Sequence, residues 1–274
     1  MEKHPLSGAL GVRLTGLDLS QTLDTQTVGG IRQAFFEHHV LVIPGQDLDA
    51  EAQVRFTAIF GEAQAHPLST RKTVEGWPQV LILENRPGLR GAPNDYWHSD
   101  ISHAAKPPLA SILQAQVVPE GRGDTQFCNM AAAFSSLSEG LQQTLRGMRA
   151  IHSGAATVAR SRAEKSDALP ISEVPPPNLH PVVRQLPETK GEALFVNPHF
   201  TTGFEDMTEA ESAPLLNYLT AHATRPENIY RHRWTPGDVL LWDNRAVMHY
   251  AVRDYDESMP RRMQRTTAAG DVPV

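Results

Sequence analysis

The chain has 274 residues, of which 40% are hydrophobic and 20% are charged, and it carries a formal net charge of -6. This length and composition are typical of a folded globular protein and argue against wholesale disorder, and the acidic balance argues against a general nucleic-acid binder. The single cysteine, Cys128, excludes an internal disulfide and a multi-thiolate metal site, so metal ligands would have to come from the 12 histidines with Asp or Glu.

The N-terminus and the hydrophobic runs carry no targeting or membrane signal. The chain begins Met1-Glu2-Lys3-His4 without an apolar signal region, and no stretch approaches the ~18 apolar residues that a spanning helix needs. We therefore expect a cytoplasmic protein that forms a single domain over residues 1–274, with neither a membrane nor a nucleic acid as a partner.

The first sixty residues predict two helices around a buried strand. Apolar residues recur at helical spacing over residues 25–38, and the run Val40–Ile43 predicts a buried strand closed by a Pro-Gly turn. Asp49 is placed to cap a second helix, which we expect to continue to Phe60, with Gly61 just past its end.

From about residue 79 the pattern changes to short strands separated by turns. These strands do not alternate with helices, which favours a jelly roll or β-sandwich over a parallel α/β sheet. Two further helices are predicted over residues 130–148 and 208–222. The predicted strands are 80–83, 96–102, 110–118, 125–129, 180–185, 193–197, 228–234, 239–242, 246–252 and 262–268.

One long segment of the chain shows no regular period. Residues 153–179, from Ser153 to Leu179, are polar and contain Pro175-Pro176-Pro177. A loop of this length in a compact domain is typical of a lid, a binding loop or a disordered segment. We expect a lid over the active site, with disorder as the alternative.

The pentapeptide Trp97-His98-Ser99-Asp100-Ile101 is the most informative segment for chemistry. On a strand, residues two apart project to the same face, so His98 and Asp100 would lie side by side. They would then supply two of the three ligands of a 2-His-1-carboxylate triad, which holds non-haem Fe(II) and leaves positions open for other ligands. The alternative is a core or surface histidine that precedes an aspartate without any metal.

The last two predicted strands carry residues that would complete such a site. His249 follows the apolar pair Val247-Met248 and becomes the second imidazole if it lies across from the first, whereas a lone histidine there is more often a hydrogen-bonded core residue. Arg261 and Arg265 share one face of their strand, roughly 13 Å apart at ~3.3 Å per residue. If that face lines the barrel, each guanidinium needs an anion; the alternative is a solvated basic strand.

Five groups of residues, in this order along the chain, match a known family. They are Asn94 to Asp100; Gly123-Asp124-Thr125; His180-Pro181-Val182-Val183-Arg184 with Pro187-Glu188-Thr189; Trp242-Asp243-Asn244-Arg245 with His249; and Arg261 to Thr266 with Gly270-Asp271. With them the chain resembles the taurine/2,4-dichlorophenoxyacetate dioxygenases, which depend on Fe(II) and 2-oxoglutarate, from about Leu10 to Asp271. The resemblance implies a mainly β fold with flanking helices, the double-stranded β-helix or jelly roll.

The resemblance also implies roles in catalysis and cofactor binding. His98, Asp100 and His249 match the iron ligands, which form the catalytic centre. Thr125 and Arg261 match the pair that holds the distal carboxylate of 2-oxoglutarate, and a guanidinium with a hydroxyl is a good carboxylate clamp. The implied cofactors are therefore Fe(II), 2-oxoglutarate as cosubstrate, and O2.

The substrate side of the resemblance rests on three positions. His66, Asn94 and Arg265 match residues that contact the substrate in taurine-type members. Those members have an aromatic residue three positions after the equivalent of His66, where this chain has Ser69, so the resemblance does not fix taurine as the substrate. We expect hydroxylation of a small anionic organic molecule (a sulfonate, an alkyl sulfate ester or an aryloxyalkanoate) with decarboxylation of 2-oxoglutarate to succinate and CO2. The assembly is left open, with a homodimer or a homotetramer as candidates.

Two other functions fit the same three ligands. A zinc-dependent hydrolase could use the His/Asp/His set, although it would need neither Arg261 nor Thr125. A non-catalytic jelly-roll binding protein could retain the pocket without turnover. An iron halogenase would need the carboxylate position freed for halide, which the presence of Asp100 argues against.

Overall fold

The structure is a computed structural model that describes residues 1–65, 72–89, 94–163 and 173–274, with residues 160–163 described by their backbone alone. The helices are α1 Thr25–His38, α2 Ala50–Thr57, α3 Met130–Ser135, α4 Glu139–Arg146, α5 Ala155–Ala163 and α6 Glu209–Ala223. The strands are β1 Glu2–Pro5, β2 Val12–Thr15, β3 Val40–Ile43, β4 Thr73–Val74, β5 Trp77–Asn85, β6 Ala110–Val117, β7 Thr125–Asn129, β8 Arg149–His152, β9 Asn178–Pro181, β10 Val183–Leu186, β11 Gly191–Leu194, β12 Thr201–Phe204, β13 Ile229–His232, β14 Val239–Asp243, β15 Val247–Ala251 and β16 Arg261–Ala268.

Two sheets form the centre of the molecule. The larger has eight strands in the order β1-β2-β3-β14-β6-β16-β5-β4, and the smaller has three in the order β13-β7-β15. Side chains from both sheets pack in one core, for example Leu113 and Leu240 from the large sheet against Phe127 and Val247 from the small one. This arrangement, with helices around it, confirms the predicted mainly β jelly roll.

The central strands of the large sheet are buried on both faces. In β3, Val40 and Val42 belong to the core between the sheets, whereas Leu41 and Ile43 belong to a second core. That second core contains the apolar residues of α1 and α2, including Phe35. The alternation follows from the period of two along a strand and explains why β3 is an unbroken apolar run.

A third core lies under the shorter helices. It combines buried residues of α3, α4 and α6 with those of β10, β11 and β12. α6 begins with a capping box, in which the Thr208 side chain accepts from the backbone of Glu211 and the Glu211 side chain accepts from the backbone of Thr208. No helix within the described ranges is both long enough and apolar enough to span a bilayer.

Three predicted elements are wrong. The predicted strand 180–185 is divided between β9 and β10, which belong to different sheets. Residues 96–102 do not form a strand, because only His98 makes a β-bridge and the chain then turns, with Ile101 at a positive φ of 49°. The single helix over residues 130–148 is two helices, because the chain leaves α3 at Ser136 and restarts α4 after Ser138. Serine competes for backbone hydrogen bonds and favours helix ends over helix interiors.

The segment 153–179 is also not a continuous loop. α5 occupies residues 155–163 and β9 begins at Asn178, while residues 164–172 lie outside the described part of the chain. A short helix with few core contacts carries only a weak periodic signal, which explains why the sequence did not indicate it.

Candidate metal centre

Three buried side chains place one ligand atom each in a common cluster. The ligand atoms of His98, Asp100 and His249 lie within 4.8 Å of one another. Oδ1 of Asp100 is 3.8 Å from Nε2 of His98 and 3.8 Å from Nε2 of His249. All three residues are less than a tenth exposed. Two imidazole nitrogens and one carboxylate oxygen thus converge on one point in the interior.

A backbone bridge between distant segments brings the two histidines together. The amide of His98 donates to the carbonyl of His249 at 3.1 Å, and the amide of His249 donates to the carbonyl of His98 at 2.8 Å. His249 lies in β15, so the bridge attaches the turn-rich segment around His98 to the small sheet. Asp100 follows in the turn and points to the same side as both rings. The structure therefore joins the pair by a turn and not by the predicted strand.

Burial favours the neutral form of both imidazoles, which is the form that can bind a metal. Nδ1 of His98 is 2.9 Å from the carbonyl of Tyr96, so Nδ1 donates and Nε2 keeps its lone pair. Burial lowers the pKa of His98 below its usual value and lowers the pKa of His249 further. Nδ1 of His249 is buried with no hydrogen-bond partner among the described residues.

The carboxylate is held in its charged form. Burial alone would raise the pKa of Asp100, but Arg265, the two histidines and the hydroxyl of Ser111 together lower it below its usual value. Oδ2 of Asp100 accepts from Ser111 Oγ at 2.6 Å and lies 2.8 Å from Arg265 Nη2. Oδ1 is left to face the imidazoles. An anionic carboxylate beside two neutral imidazoles is a donor set for a divalent transition metal.

The predicted cosubstrate residues lie near the same end of the barrel. Thr125 is buried, and its Oγ1 accepts a hydrogen bond from Trp234 Nε1 at 2.9 Å, which leaves the hydroxyl proton available for another acceptor. Arg261 packs against Tyr255 and beside Gly123, where an added Cβ would lie 3.2 Å from Arg261 Nε. Arg261 is only partly buried as a residue, but its Nε is buried and unpartnered, and no carboxylate pairs with this guanidinium within the described ranges. The buried edge of the guanidinium thus lacks an anion.

The predicted substrate residues are placed differently from one another. Arg265 is buried and directs Nη2 at Asp100, while its Nε has no partner in the described part of the chain. The carbonyl of Asn94 accepts from the amide of Ala251 at 3.1 Å, which ties Asn94 to the end of β15. His66 and Ser69 lie outside the described residues.

A group of aromatic rings flanks His98. The ring centre of Tyr96 is 4.7 Å from that of His98, and the rings of His199 and Phe200 lie 6.3 and 6.4 Å away. His199 stacks on Tyr96 at 3.8 Å, and its Nε2 is 2.9 Å from the Thr157 hydroxyl of α5. These contacts link α5 to the surroundings of the metal centre.

Sequence reasoning missed three contributors to the site. It assigned no role to Tyr96, Ser111 or Asn244, although Asn244 lies within one of the matching motifs. Ser111 and Asn244 act through contacts between segments that are far apart in sequence. No local pattern marks a serine in an apolar strand as a partner of a distant carboxylate.

Comparison with known proteins identifies relatives over the whole chain. The family model of the taurine catabolism dioxygenases (TauD, TfdA family) matches residues 2–267. An α-ketoglutarate-dependent sulfate ester dioxygenase from Pseudomonas putida is 37% identical, over 100% of this chain and 91% of that protein. An α-ketoglutarate-dependent 2,4-dichlorophenoxyacetate dioxygenase from Cupriavidus pinatubonensis is 34% identical, over 99% of this chain and 97% of that protein.

Solved structures agree with this relationship. A crystal structure of a taurine dioxygenase from Burkholderia xenovorans matches with a TM-score of 0.83 and 36% identity, over 100% of this chain and 90% of that one. The similarity covers the fold and the segments that carry the candidate site. Neither a zinc-dependent hydrolase nor a non-catalytic binding protein, the alternatives left open by the sequence, finds support in these relatives.

Proposed function

This chain belongs to the taurine catabolism dioxygenase TauD, TfdA family and is an oxidoreductase, and we propose that it uses Fe(II), 2-oxoglutarate and O2 to hydroxylate a small anionic organic substrate. The observation that carries the proposal is the convergence of His98, Asp100 and His249, with Oδ1 of Asp100 at 3.8 Å from each Nε2. Two of the relatives named above are α-ketoglutarate-dependent dioxygenases, which supports 2-oxoglutarate as the cosubstrate at this centre.

The three donors fit Fe(II). Two neutral imidazoles and one carboxylate oxygen are the ligand set of non-haem Fe(II) oxygenases, in which three positions stay open. The buried Nε2 atoms and Oδ1 lie within 4.8 Å of one another, so the donor set is assembled around one point. When bound, Fe(II) together with 2-oxoglutarate and O2 supplies the oxidation, which hydroxylates a carbon and converts 2-oxoglutarate to succinate and CO2.

Arg261 and Thr125 are the residues that would hold the far carboxylate of 2-oxoglutarate. The guanidinium of Arg261 has a buried, unpartnered Nε, and Thr125 has a hydroxyl proton to donate because its oxygen already accepts from Trp234. A carboxylate placed between them would accept charge-assisted hydrogen bonds from both. Its binding would also compensate a partly buried cation, whose burial otherwise costs stability.

The relatives point to an anionic substrate. Sulfate esters and 2,4-dichlorophenoxyacetate, after which two relatives are named, both carry an anionic group on a small organic body. We propose that this chain acts on a sulfonate, an alkyl sulfate ester or an aryloxyalkanoate, with Arg265, Asn94 and His66 around the anion. Nε of Arg265 is buried and unpartnered among the described residues, so the guanidinium keeps a donor for such a group.

The predicted lid over residues 153–179 is supported only at α5, because residues 164–172 lie outside the described part of the chain. Thr157 in α5 is hydrogen-bonded to His199, which stacks on Tyr96 beside His98. A helix in this place would help to exclude water from the reacting carbon, as active-site covers do in other enzymes.

A substrate panel tests the proposed function. Fe(II)-loaded protein is supplied with 2-oxoglutarate and O2, and succinate is measured with alkyl sulfates, sulfonates and aryloxyalkanoates, with His249→Ala as the control. The proposal expects substrate-dependent succinate from the wild type and none above background from the variant. Turnover of a sulfate ester without O2 or 2-oxoglutarate would contradict it and would indicate hydrolysis.

A further inference from the structure

We propose that Ser111, Asn244 and Arg265 are positioning residues, which hold the outer oxygen of Asp100 so that this carboxylate offers only Oδ1 to the metal. The inference rests on the proposed function for the identity of the metal. It assigns to Arg265 a task beyond the contact with substrate that the sequence suggested. The observations that carry it are the direction of each hydrogen bond around Oδ2 and the burial of the residues involved.

The hydrogen bonds that lead to Asp100 can run in only one direction. The indole Nε1 of Trp242 is a donor without acceptor capacity, and it donates to Asn244 Oδ1 at 2.9 Å. The same oxygen accepts from the backbone amide of Asp100 at 3.3 Å. The carboxamide of Asn244 is therefore fixed with its nitrogen on the other side, where Nδ2 donates to Ser111 Oγ at 3.1 Å.

The hydroxyl of Ser111 is the last donor in this chain of hydrogen bonds from Trp242 to Asp100. Its oxygen accepts from Asn244 Nδ2 at 3.1 Å and from Arg265 Nη2 at 3.1 Å. With both lone pairs engaged, the hydroxyl must donate its single proton, and it does so to Asp100 Oδ2 at 2.6 Å. A short bond from a hydroxyl to a carboxylate is of the strong, charge-assisted kind.

Arg265 supplies the second donor to the same oxygen. Its Nη2 lies 2.8 Å from Asp100 Oδ2 and 3.1 Å from Ser111 Oγ, so one nitrogen holds the carboxylate and the hydroxyl together. Ser111, Asn244 and Arg265 are each less than a tenth exposed, which shields these bonds from water. The carboxylate cannot rotate without breaking two hydrogen bonds in a dry environment.

This arrangement has a consequence for coordination. A carboxylate with both oxygens free can bind a metal through either one or both. With Oδ2 engaged, Asp100 contributes one oxygen, and the position that a second oxygen would occupy stays available for cosubstrate and O2. The residues around Oδ2 thus support the three-ligand set, in the way that outer partners of metal ligands do generally.

The test compares metal affinity in variants that keep the formal charge. Ser111→Ala removes the donor to Oδ2 without adding or removing a charge, and Ser212→Ala is the matched control, because Ser212 is equally buried but accepts from the amide of Phe204 far from the metal. Co(II) and anaerobic Fe(II) dissociation constants are measured on the metal-free proteins without 2-oxoglutarate or substrate. We expect Ser111→Ala to weaken binding by about 10- to 100-fold, the usual cost of losing an outer partner, and Ser212→Ala to leave it unchanged.

A second pair of variants keeps the inference testable if Ser111→Ala does not fold. Arg265→Lys retains the charge but loses the geometry of the guanidinium, and Arg262→Lys on the same strand is its control, because Arg262 pairs with Glu84 and Gln116 instead. Of these two variants, we expect only Arg265→Lys to bind metal more weakly than the wild type. For Ser111→Ala we also expect a Co(II) visible spectrum that shows a higher coordination number.

The outcomes separate this inference from the proposed function. A merely structural role would lower the melting temperature of Ser111→Ala or Arg265→Lys while the folded variants bind metal as the wild type does, and that result would overturn the inference. Equal weakening in the two controls would overturn it as well. If the wild type itself fails to bind Fe(II), the proposed function is wrong, whatever the variants show.

Discussion

Arg261 offers a prediction with two opposite effects, one on cosubstrate affinity and one on stability. Replacing it by Met removes a guanidinium whose Nε is buried without a partner and which has no carboxylate neighbour within the described ranges. Hydrogen bonds to charged groups contribute about 1.5–3 kcal/mol each, and ~1.4 kcal/mol corresponds to a factor of ten in affinity. Loss of one arginine–carboxylate contact therefore weakens 2-oxoglutarate binding by about 10- to 100-fold.

The stability of the protein without cosubstrate moves the other way. Burial lowers the pKa of Arg261 from its usual value, which reflects the cost of keeping a cation away from water. Arg261 is partly buried and has no carboxylate partner within the described ranges, so removing its charge sacrifices no ion pair, and Arg261→Met should unfold at the same temperature as the wild type or higher. Arg261→Lys, which keeps the charge without the planar donors, should recover only part of the affinity.

The assay combines calorimetric titration of 2-oxoglutarate into Fe(II)-loaded protein without O2 and thermal unfolding of the protein alone. The Michaelis constants give an independent comparison, since Arg261→Ala should raise that of 2-oxoglutarate far more than that of the substrate, and Arg265→Ala should do the reverse. Equal changes in both constants from both variants would refute separate anion sites. An Arg261→Met protein that binds 2-oxoglutarate like the wild type would refute the assignment of Arg261 itself.

Three further predictions concern the scaffold. Burial lowers the pKa of His152 to about 3 and that of His103 to about 4, so the unfolded chain takes up protons first as the pH falls. The free energy of unfolding of the metal-free protein, measured by urea denaturation, should therefore decrease as the pH falls below about 6.5. Each of these histidines contributes a slope of about 1.4 kcal/mol per pH unit, and a free energy of unfolding that does not change with pH would contradict this. Gly270→Ala should lose about 1–3 kcal/mol in the same assay, because its Cβ would collide with the backbone carbonyl oxygen of Pro107; unchanged stability would contradict this close approach. Cys128 is buried with a pKa raised to about 12, so a thiol reagent should label it only after denaturation, and rapid labelling of the folded protein would contradict its burial.

The elements that the sequence predicted well are those with strong local signals. α1 covers the predicted residues 25–38, and its start is fixed by Asp24, whose side chain accepts from the amide of Thr27. β3 and β7 have the predicted bounds, since β3 is an apolar run closed by a turn and β7 ends at Asn129, which caps α3. α2 begins after Asp49 as predicted. It ends at Thr57, three residues before the predicted end at Phe60, and residues 58–60 form a turn before Gly61.

The metal centre contains contacts that local sequence patterns do not predict. The side-by-side placement of His98 and Asp100 was expected from a strand, yet it arises from one bridge to His249 and a turn. The result is similar because the backbone bonds to His249 hold the segment in place. The surroundings of Oδ2 could not be predicted, because Ser111 in β6 and Asn244 in the turn after β14 meet there only when the sheet pairs β6 with β14.

The most direct test of the account is an anaerobic titration of the metal-free protein with Fe(II) and 2-oxoglutarate, followed by visible absorption. The account predicts a weak metal-to-ligand charge-transfer band that saturates at one Fe(II) per chain in the wild type and is missing in Asp100→Ala and His249→Ala. A folded wild-type protein that binds Fe(II) but gives no such band with 2-oxoglutarate would contradict the assignment of the three ligands to a 2-oxoglutarate-dependent iron centre.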